Sequence, residues 1–206
     1  MMSLNVLLIG GGGREHALAW AMAKSNELSK LYIAPGNPGT AECGTNVLLD
    51  VSDHKAVLHF IEEYRIDLTV VGPEQPLVDG LADFLEDREH KVFGPRMKAA
   101  MLEGSKEFAK DFMKKYDIPT AAYKVFDQSE FDEAVAYIKN RNQYPVVLKA
   151  DGLAAGKGVL ICEDEKAAMI GLDTLKTGAL AGAAQRLVIE EFMSGEEASV
   201  FAICDG

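Results

Sequence analysis

Cysteine is scarce, with three among 206 residues, at Cys43, Cys162 and Cys204, and no Cys-x-x-Cys pair. An odd number of thiols so far apart argues against a disulfide framework and for a reducing compartment, the cytoplasm. The four histidines (His16, His54, His59, His90) show no metal-ligand spacing. No apolar run approaches the roughly 18 residues that cross a bilayer. The stretch Met1–Ser3 leads straight into an apolar run, leaving no room for a signal peptide. Positive charge is also in short supply, since 21 Lys and Arg against 32 Asp and Glu give a net charge of −11. So acidic a chain is not expected to coat nucleic acid or anionic lipid. A phosphorylated small molecule stays within reach, because it needs positive charge only locally.

What is present suffices for a core. Hydrophobic residues make up 48% and charged residues 26%, the mix of a soluble globular protein of one or two domains. The first half alternates strand and helix. Apolar runs at Val6–Ile9, Leu31–Ala34, Val47–Leu49, Leu68–Val71 and Val92-Phe93 predict five strands. Helices are expected at Arg14–Ser25, Asp53–Tyr64 and Val78–Arg88, a pattern that argues for a parallel, doubly wound sheet.

The pattern changes near residue 100. Helices are expected at Met97–Leu102 and Lys106–Tyr116, a strand at Tyr123–Phe126, and a helix to Asn140 with Ser129 and Asp132 as capping pair. A hairpin of Val146–Lys149 and Val159–Ile161 follows, then a helix at Glu165–Leu175 and strands at Leu187–Glu190 and Ala198–Ile203. This half reads as α+β with antiparallel pairs. The expected domains are 1–100 and 101–206, the latter with a nucleotide-binding lobe at about 120–192. Domains seldom stop on an unpaired strand and a turn such as Cys204-Asp205-Gly206, so a piece of a longer protein is expected.

Three loops carry the chemistry of the first half. Gly10, Gly11, Gly12 and Gly13 join the first strand to the first helix, whose N-terminus offers free N–H groups and partial positive charge to a phosphate. The dinucleotide pattern G-x-G-x-x-G fails, because Glu15 and His16 stand where its last glycine belongs. Ala34-Pro35 replaces the ribose-holding acid. The Pro35–Thr40 loop, with Asn37 and Gly39, and the Gly72-Pro73-Glu74 loop fall on the same carboxyl edge. Asn37 and Glu74 are suited to sugar hydroxyls or an amine. Plain turns without a ligand are the alternative for each loop.

In the second half, Lys149-Ala150-Asp151-Gly152 runs through Gly156-Lys157-Gly158 into the hairpin partner. Such a flap can fold over a triphosphate, each charged hydrogen bond contributing about 1.5–3 kcal/mol. It is not a Walker loop, since three residues separate the glycines and Gly158 follows the lysine. Lys149 lies inside an apolar strand, where an ammonium needs an anionic partner. A flexible hairpin with incidental lysines is the competing reading. Glu190 to Met193 suit a strand breaking into an adenine-binding hinge, with Glu197 for ribose hydroxyls; an acidic surface turn explains them equally. Lys106, at a helix start, is either one more phosphate ligand or a solvated lysine.

Together these residues resemble the phosphoribosylamine–glycine ligase family. The resemblance lies in GGGGREHALAW (10–20), APGNPGT (34–40), DLTVVGPEQP (67–76), LEGSK (102–106), KADGLAAGKGV (149–159) and IEEFMSGEEAS (189–199). It implies a Rossmann-like N-terminal domain followed by an ATP-grasp region, here incomplete. It also implies ATP-dependent joining of glycine to 5-phospho-β-D-ribosylamine through a glycyl phosphate, in purine synthesis. Carried over by position, Lys106, Lys149 and Lys157 with Gly156 and Gly158 meet the ATP phosphates. Glu190, Phe192, Met193 and Glu197 hold the nucleoside. Gly10–Gly13, Asn37, Gly39, Gly72, Pro73 and Glu74 hold the ribosylamine phosphate. The family's magnesium (or manganese) ligands are expected beyond residue 206, which leaves no metal site in this chain and a 206-residue piece inactive in isolation. The resemblance carries expectations of a monomer with no nucleic-acid or membrane partner. The rivals are another ATP-grasp ligase or carboxylase, a non-catalytic nucleotide-binding module and, disfavoured by its failed glycine spacing, an NAD-dependent oxidoreductase.

Overall fold

The computed structural model describes residues 3–152, 158–178, 186–200 and 202. The chain divides into two compact units, Met1–Ser105 and Lys106–Gly206.

The first unit runs β1 (Leu4–Gly10), α1 (Gly13–Met22), β2 (Leu28–Pro35), a 3-10 turn (Thr40–Glu42), β3 (Thr45–Asn46) and α2 (His54–Tyr64). It continues with β4 (Leu68–Val71), α3 (Glu74–Val78), α4 (Leu81–Glu86), β5 (Val92–Phe93) and α5 (Met97–Gly104). The strands form one parallel sheet in the order β3-β2-β1-β4-β5. Side chains on β1 alternate, so Leu7 and Ile9 enter a core with Val57 of α2 and Leu81 and Leu85 of α4. Val6 and Leu8 enter the opposite core, with Ala19 of α1. Each such aliphatic side chain contributes about 1.5–3 kcal/mol by leaving water. The doubly wound parallel sheet read from the sequence is what forms.

Three expectations fail here. Val47–Leu49 is not a strand. The strand is the polar pair Thr45–Asn46 beside β2, and Leu48 is fully exposed in the loop that follows. Within the helix expected over Val78–Arg88 only α4, Leu81–Glu86, forms; Val78 instead ends the separate α3, parted from α4 at Gly80, whose φ of +87° is left-handed backbone open to glycine. The first helix also ends at Met22 rather than Ser25. Before β5, His90 Nε2 lies 2.9 Å from the hydroxyl of buried Thr69, and burial lowers the imidazole's pKa.

The second unit runs α6 (Lys106–Lys115), β6 (Tyr123–Asp127), a 3-10 turn (Gln128–Glu130), α7 (Phe131–Lys139), β7 (Val146–Ala150), β8 (Val159–Cys162), α8 (Glu165–Thr177) and β9 (Arg186–Glu191). Its sheet is antiparallel, in the order β6-β9-β7-β8. One face packs on α7 and α8: Leu148, Leu187 and Ile189 meet Ala134, Ile138, Ala168 and Leu172. The hairpin expected between β7 and β8 is present, with Lys149 opposite Val159. The capping pair is Asp127 with Glu130, not Ser129 with Asp132, because a 3-10 turn at Gln128–Glu130 precedes α7 and takes the cap. Of the strand expected at Ala198–Ile203, residues 198–200 and 202 are irregular, and the rest lies outside the described residues. Among the described residues no helix is long and apolar enough to cross a membrane.

Candidate functional site

In the first unit the chain passes from β1 to β2 and β3 on one side, then returns to β4 on the other. The carboxyl ends of β1 and β4 therefore flank the point where the winding reverses, which is where ligands enter open α/β sheets. The glycine loop after β1 and the Gly72-Pro73-Glu74 segment after β4 meet here. Arg14, at the start of α1, joins them, with Nη1 donating to the Gly72 carbonyl and to Glu74 Oε1, both at 2.8 Å. The hydrogen bond from Arg14, more than their charge attraction, holds the Glu74 carboxyl below the usual carboxylate range. Both groups face solvent, so the pair contributes at most about 1 kcal/mol.

Behind the glycines lies Glu15, almost fully buried, with Oε2 accepting the Gly12 N–H at 2.7 Å. The Pro35–Thr40 loop is pinned to the same edge. A Cβ on Gly11 would sit 2.7 Å from the Gly36 carbonyl oxygen, so only glycine lets the two loops approach this closely. Asn37 Nδ2 donates to the Gly11 carbonyl at 3.0 Å and lies 3.3 Å from that of Gly12. Asn37 Oδ1 accepts the N–H groups of Gly39 and Thr40 at 2.8 and 3.0 Å. Thr40 Oγ1 donates to Asn46 Oδ1, and Asn46 Nδ2 donates to the Asn37 carbonyl, each at 2.7 Å. The Asn37 side chain is thus already engaged by backbone, and its position favours fastening loops over touching a sugar. Gly10, Gly11, Gly12, Gly13, Asn37, Gly39, Gly72, Pro73 and Glu74 do share one edge. Arg14, Glu15, Thr40 and Asn46 complete it and were not singled out from the sequence.

In the second unit the sheet face turned away from α7 and α8 carries the charge. Period-two alternation puts Lys149 of β7 and Glu190 of β9 on this face, with Val147 opposite Glu190 and Val188 opposite Lys149. Lys149 Nζ donates to Glu190 Oε2 at 2.8 Å. Lys110 of α6 reaches the same oxygen at 3.3 Å. Lys110 also donates to Thr120 Oγ1 at 2.8 Å and the Ala121 carbonyl at 3.3 Å. Its ammonium lies 5.6 Å from the Tyr123 ring. Desolvation and then the hydrogen bond to Asp111 push the Tyr123 phenol up to about 12. Glu190 Oε1 is buried and has no hydrogen-bond partner among the described residues.

The anion that an ammonium inside an apolar strand requires is therefore supplied by Glu190, so the burial of Lys149 does not by itself demand a phosphate. Two ammoniums to one carboxylate nevertheless leave these three groups with one net positive charge. Lys110 gave no separate signal in the sequence, since it reads as one of several lysines on a charged helix.

At the end of β7, Asp151 Oδ1 accepts the Lys106 N–H at 2.5 Å, which fixes the start of α6, and Lys106 Nζ donates to the Gly152 carbonyl at 2.8 Å. Arg186 bridges Glu107 and Asp127 across the sheet edge. Gly158 accepts the Ala150 N–H at 2.7 Å, while Gly156 and Lys157 lie outside the described residues. After β9 the strand breaks as expected, leaving Phe192 and Met193 exposed and Glu197 in exposed irregular chain. Val159 and Ile161, large and exposed, lie on the same face as Lys149. No group of three or more His, Cys, Asp or Glu among the described residues is arranged to hold a metal ion.

Residues 4–103 match the family model of the phosphoribosylglycinamide synthetase N domain, and residues 104–206 that of the phosphoribosylglycinamide synthetase ATP-grasp (A) domain. A phosphoribosylamine–glycine ligase from Mesorhizobium japonicum is 53% identical over 203 residues, covering 98% of this chain and 47% of the relative. A crystal structure of phosphoribosylamine–glycine ligase from Thermotoga maritima superposes with a TM-score of 0.72 at 36% identity, covering 94% of this chain and 45% of that one. The D-alanine–D-alanine ligase of Bacillus anthracis, solved in complex with ATP, shares the fold at 18% identity, with a TM-score of 0.63 over 95% of this chain and 58% of its own. The chain spans about half the length of the curated relatives it matches.

Proposed function

The chain belongs to the phosphoribosylglycinamide synthetase family, and from that premise we propose that the full-length protein joins glycine to 5-phospho-β-D-ribosylamine at the expense of ATP. The γ-phosphoryl group passes to the glycine carboxylate, releasing ADP. The ribosylamine nitrogen then attacks the glycyl phosphate carbonyl, releasing phosphate and leaving glycinamide ribonucleotide. The observation that carries this reading is the sheet face where Lys149 and Lys110 share the single Glu190 carboxylate, two ammoniums to one anion, beside exposed apolar Val159 and Ile161.

On this face Lys149 draws in the polyphosphate, with Lys106 and the Gly152–Gly158 stretch at the end of β7. Phe192 and Met193 suit the adenine ring, and Glu197 suits the ribose. The glycine-lined edge of the first unit takes the ribosylamine phosphate on backbone N–H groups at the start of α1, where the helix dipole favours an anion. Arg14 keeps Glu74 ionised at the rim, fit to hold a sugar hydroxyl or the amine. The catalytic share of these residues is positioning and charge neutralisation. No step of this scheme is placed on a metal held by the described residues.

The test is ADP release by the full-length protein. Release is expected only with glycine and phosphoribosylamine together. Release with bicarbonate in place of glycine would move the protein to a carboxylase function, and no ATP turnover at all would leave a binding module.

A further inference from the structure

We propose that Lys110 is a positioning residue of the nucleotide site, the standing counterion of Glu190 that leaves Lys149 free to turn toward a polyphosphate. The inference rests on the nucleotide reading given above and adds to it a residue that touches no ligand.

The two lysines meet the same oxygen in different states. Lys110 is locked. Its side chain is 8% exposed, and its ammonium has three partners in place: an ion pair with Glu190 Oε2 at 3.3 Å and hydrogen bonds to Thr120 Oγ1 and the Ala121 carbonyl. Lys149 is 26% exposed and has a single acceptor among the described residues, Glu190 Oε2, which leaves two donors for an incoming anion.

Glu190 itself is 4% exposed. A buried carboxylate stripped of its only cation is strongly destabilising. If Lys149 were that only cation, each shift of its ammonium toward a phosphate would leave Glu190 uncompensated, and the lysine would be held back. Lys110, anchored from α6 and from the segment before β6, removes this restraint. It keeps Glu190 neutralised whether or not Lys149 stays in contact.

The experiment is a double-mutant cycle on ATP binding to the full-length protein, read by titration calorimetry. Lys110→Met is expected to weaken ATP binding about tenfold or more, since Lys149 is then the sole partner of Glu190. In a Glu190→Gln background the restraint is gone. There, adding Lys110→Met is expected to change ATP affinity by no more than about twofold, the additivity error of independent sites. A Lys110 that only braces Thr120 and Ala121 would give the same loss in both backgrounds, and that result overturns the proposal. So does an unchanged affinity in Lys110→Met. Should that single variant not fold, the comparison of Glu190→Gln with the double variant, which buries no unpaired carboxylate, decides alone. Lys149→Met separates the two readings. Unchanged ATP affinity there sinks the nucleotide site itself, whereas a loss there with none in Lys110→Met sinks only the role of Lys110.

Discussion

In the parallel sheet of the first unit both faces are covered, Leu7 and Ile9 by one helical layer and Val6 and Leu8 by the other. No face remains for a ligand, so the candidate site is the edge where strands end, and the donors there are backbone groups framed by glycine. In the antiparallel sheet of the second unit α7 and α8 cover one face only. The other face is free to carry Lys149 and Glu190, and recognition there belongs to side chains standing on rigid strands. On the proposed reading the two units would bind anions by opposite means, main chain at an edge and ammonium on a face.

Four substitutions press on that contrast. The largest effect is expected in the one-sided core. Leu148→Ala removes a fully buried side chain from it and should cost about 2–5 kcal/mol, seen as faster amide exchange confined to the second unit. Spread of the loss into β1 and β4 would contradict the independence of the two cores.

Next, Lys149→Met should weaken ATP binding about 10- to 100-fold while ribose 5-phosphate binds as before. Gly11→Ala should do the reverse. With a methyl forced against the Gly36 carbonyl, ribose 5-phosphate affinity falls about tenfold and ATP affinity holds. Calorimetric titration of both ligands against both variants reads the contrast directly, and any crossed effect blurs it.

The smallest effect concerns pH. The folded state lowers the His90 pKa below its ordinary value of 6.5. The stability contributed by the neutral imidazole is therefore full above that value. It declines as acid lowers the pH from there toward the folded pKa, because the unfolded chain takes up the proton first. Replacing His90 with Asn should flatten this part of the urea midpoint's pH dependence, and an unaltered slope would remove His90 from the account.

Most strands of both sheets were legible because they carry short apolar runs. Val47–Leu49 has the same signature and is a loop. The strand beside it is Thr45–Asn46, held by two backbone partners on β2 and by the side-chain bonds of Asn46, neither of which hydropathy registers. The Lys149–Gly158 stretch and the glycine loop were legible as motifs because their residues are local in sequence, though residues 153–157 of the former lie outside the described residues. Lys110 was not, because its meaning depends on Glu190, 80 positions away in number and adjacent only after β6, β7 and β9 pair. Asn37 was legible in place but not in its bonding, since nothing in a sequence shows that an amide has spent its donors and acceptors on neighbouring backbone.

Asn37, Thr40 and Asn46 fasten the loop after β2 to the loop after β1 before any ligand arrives. The rotational freedom of that segment, roughly 1–2 kcal/mol per residue, is surrendered once, when the chain folds. An anion bound there as proposed would meet a socket already cast, and its affinity would not be discounted by the entropy of freezing a wandering loop.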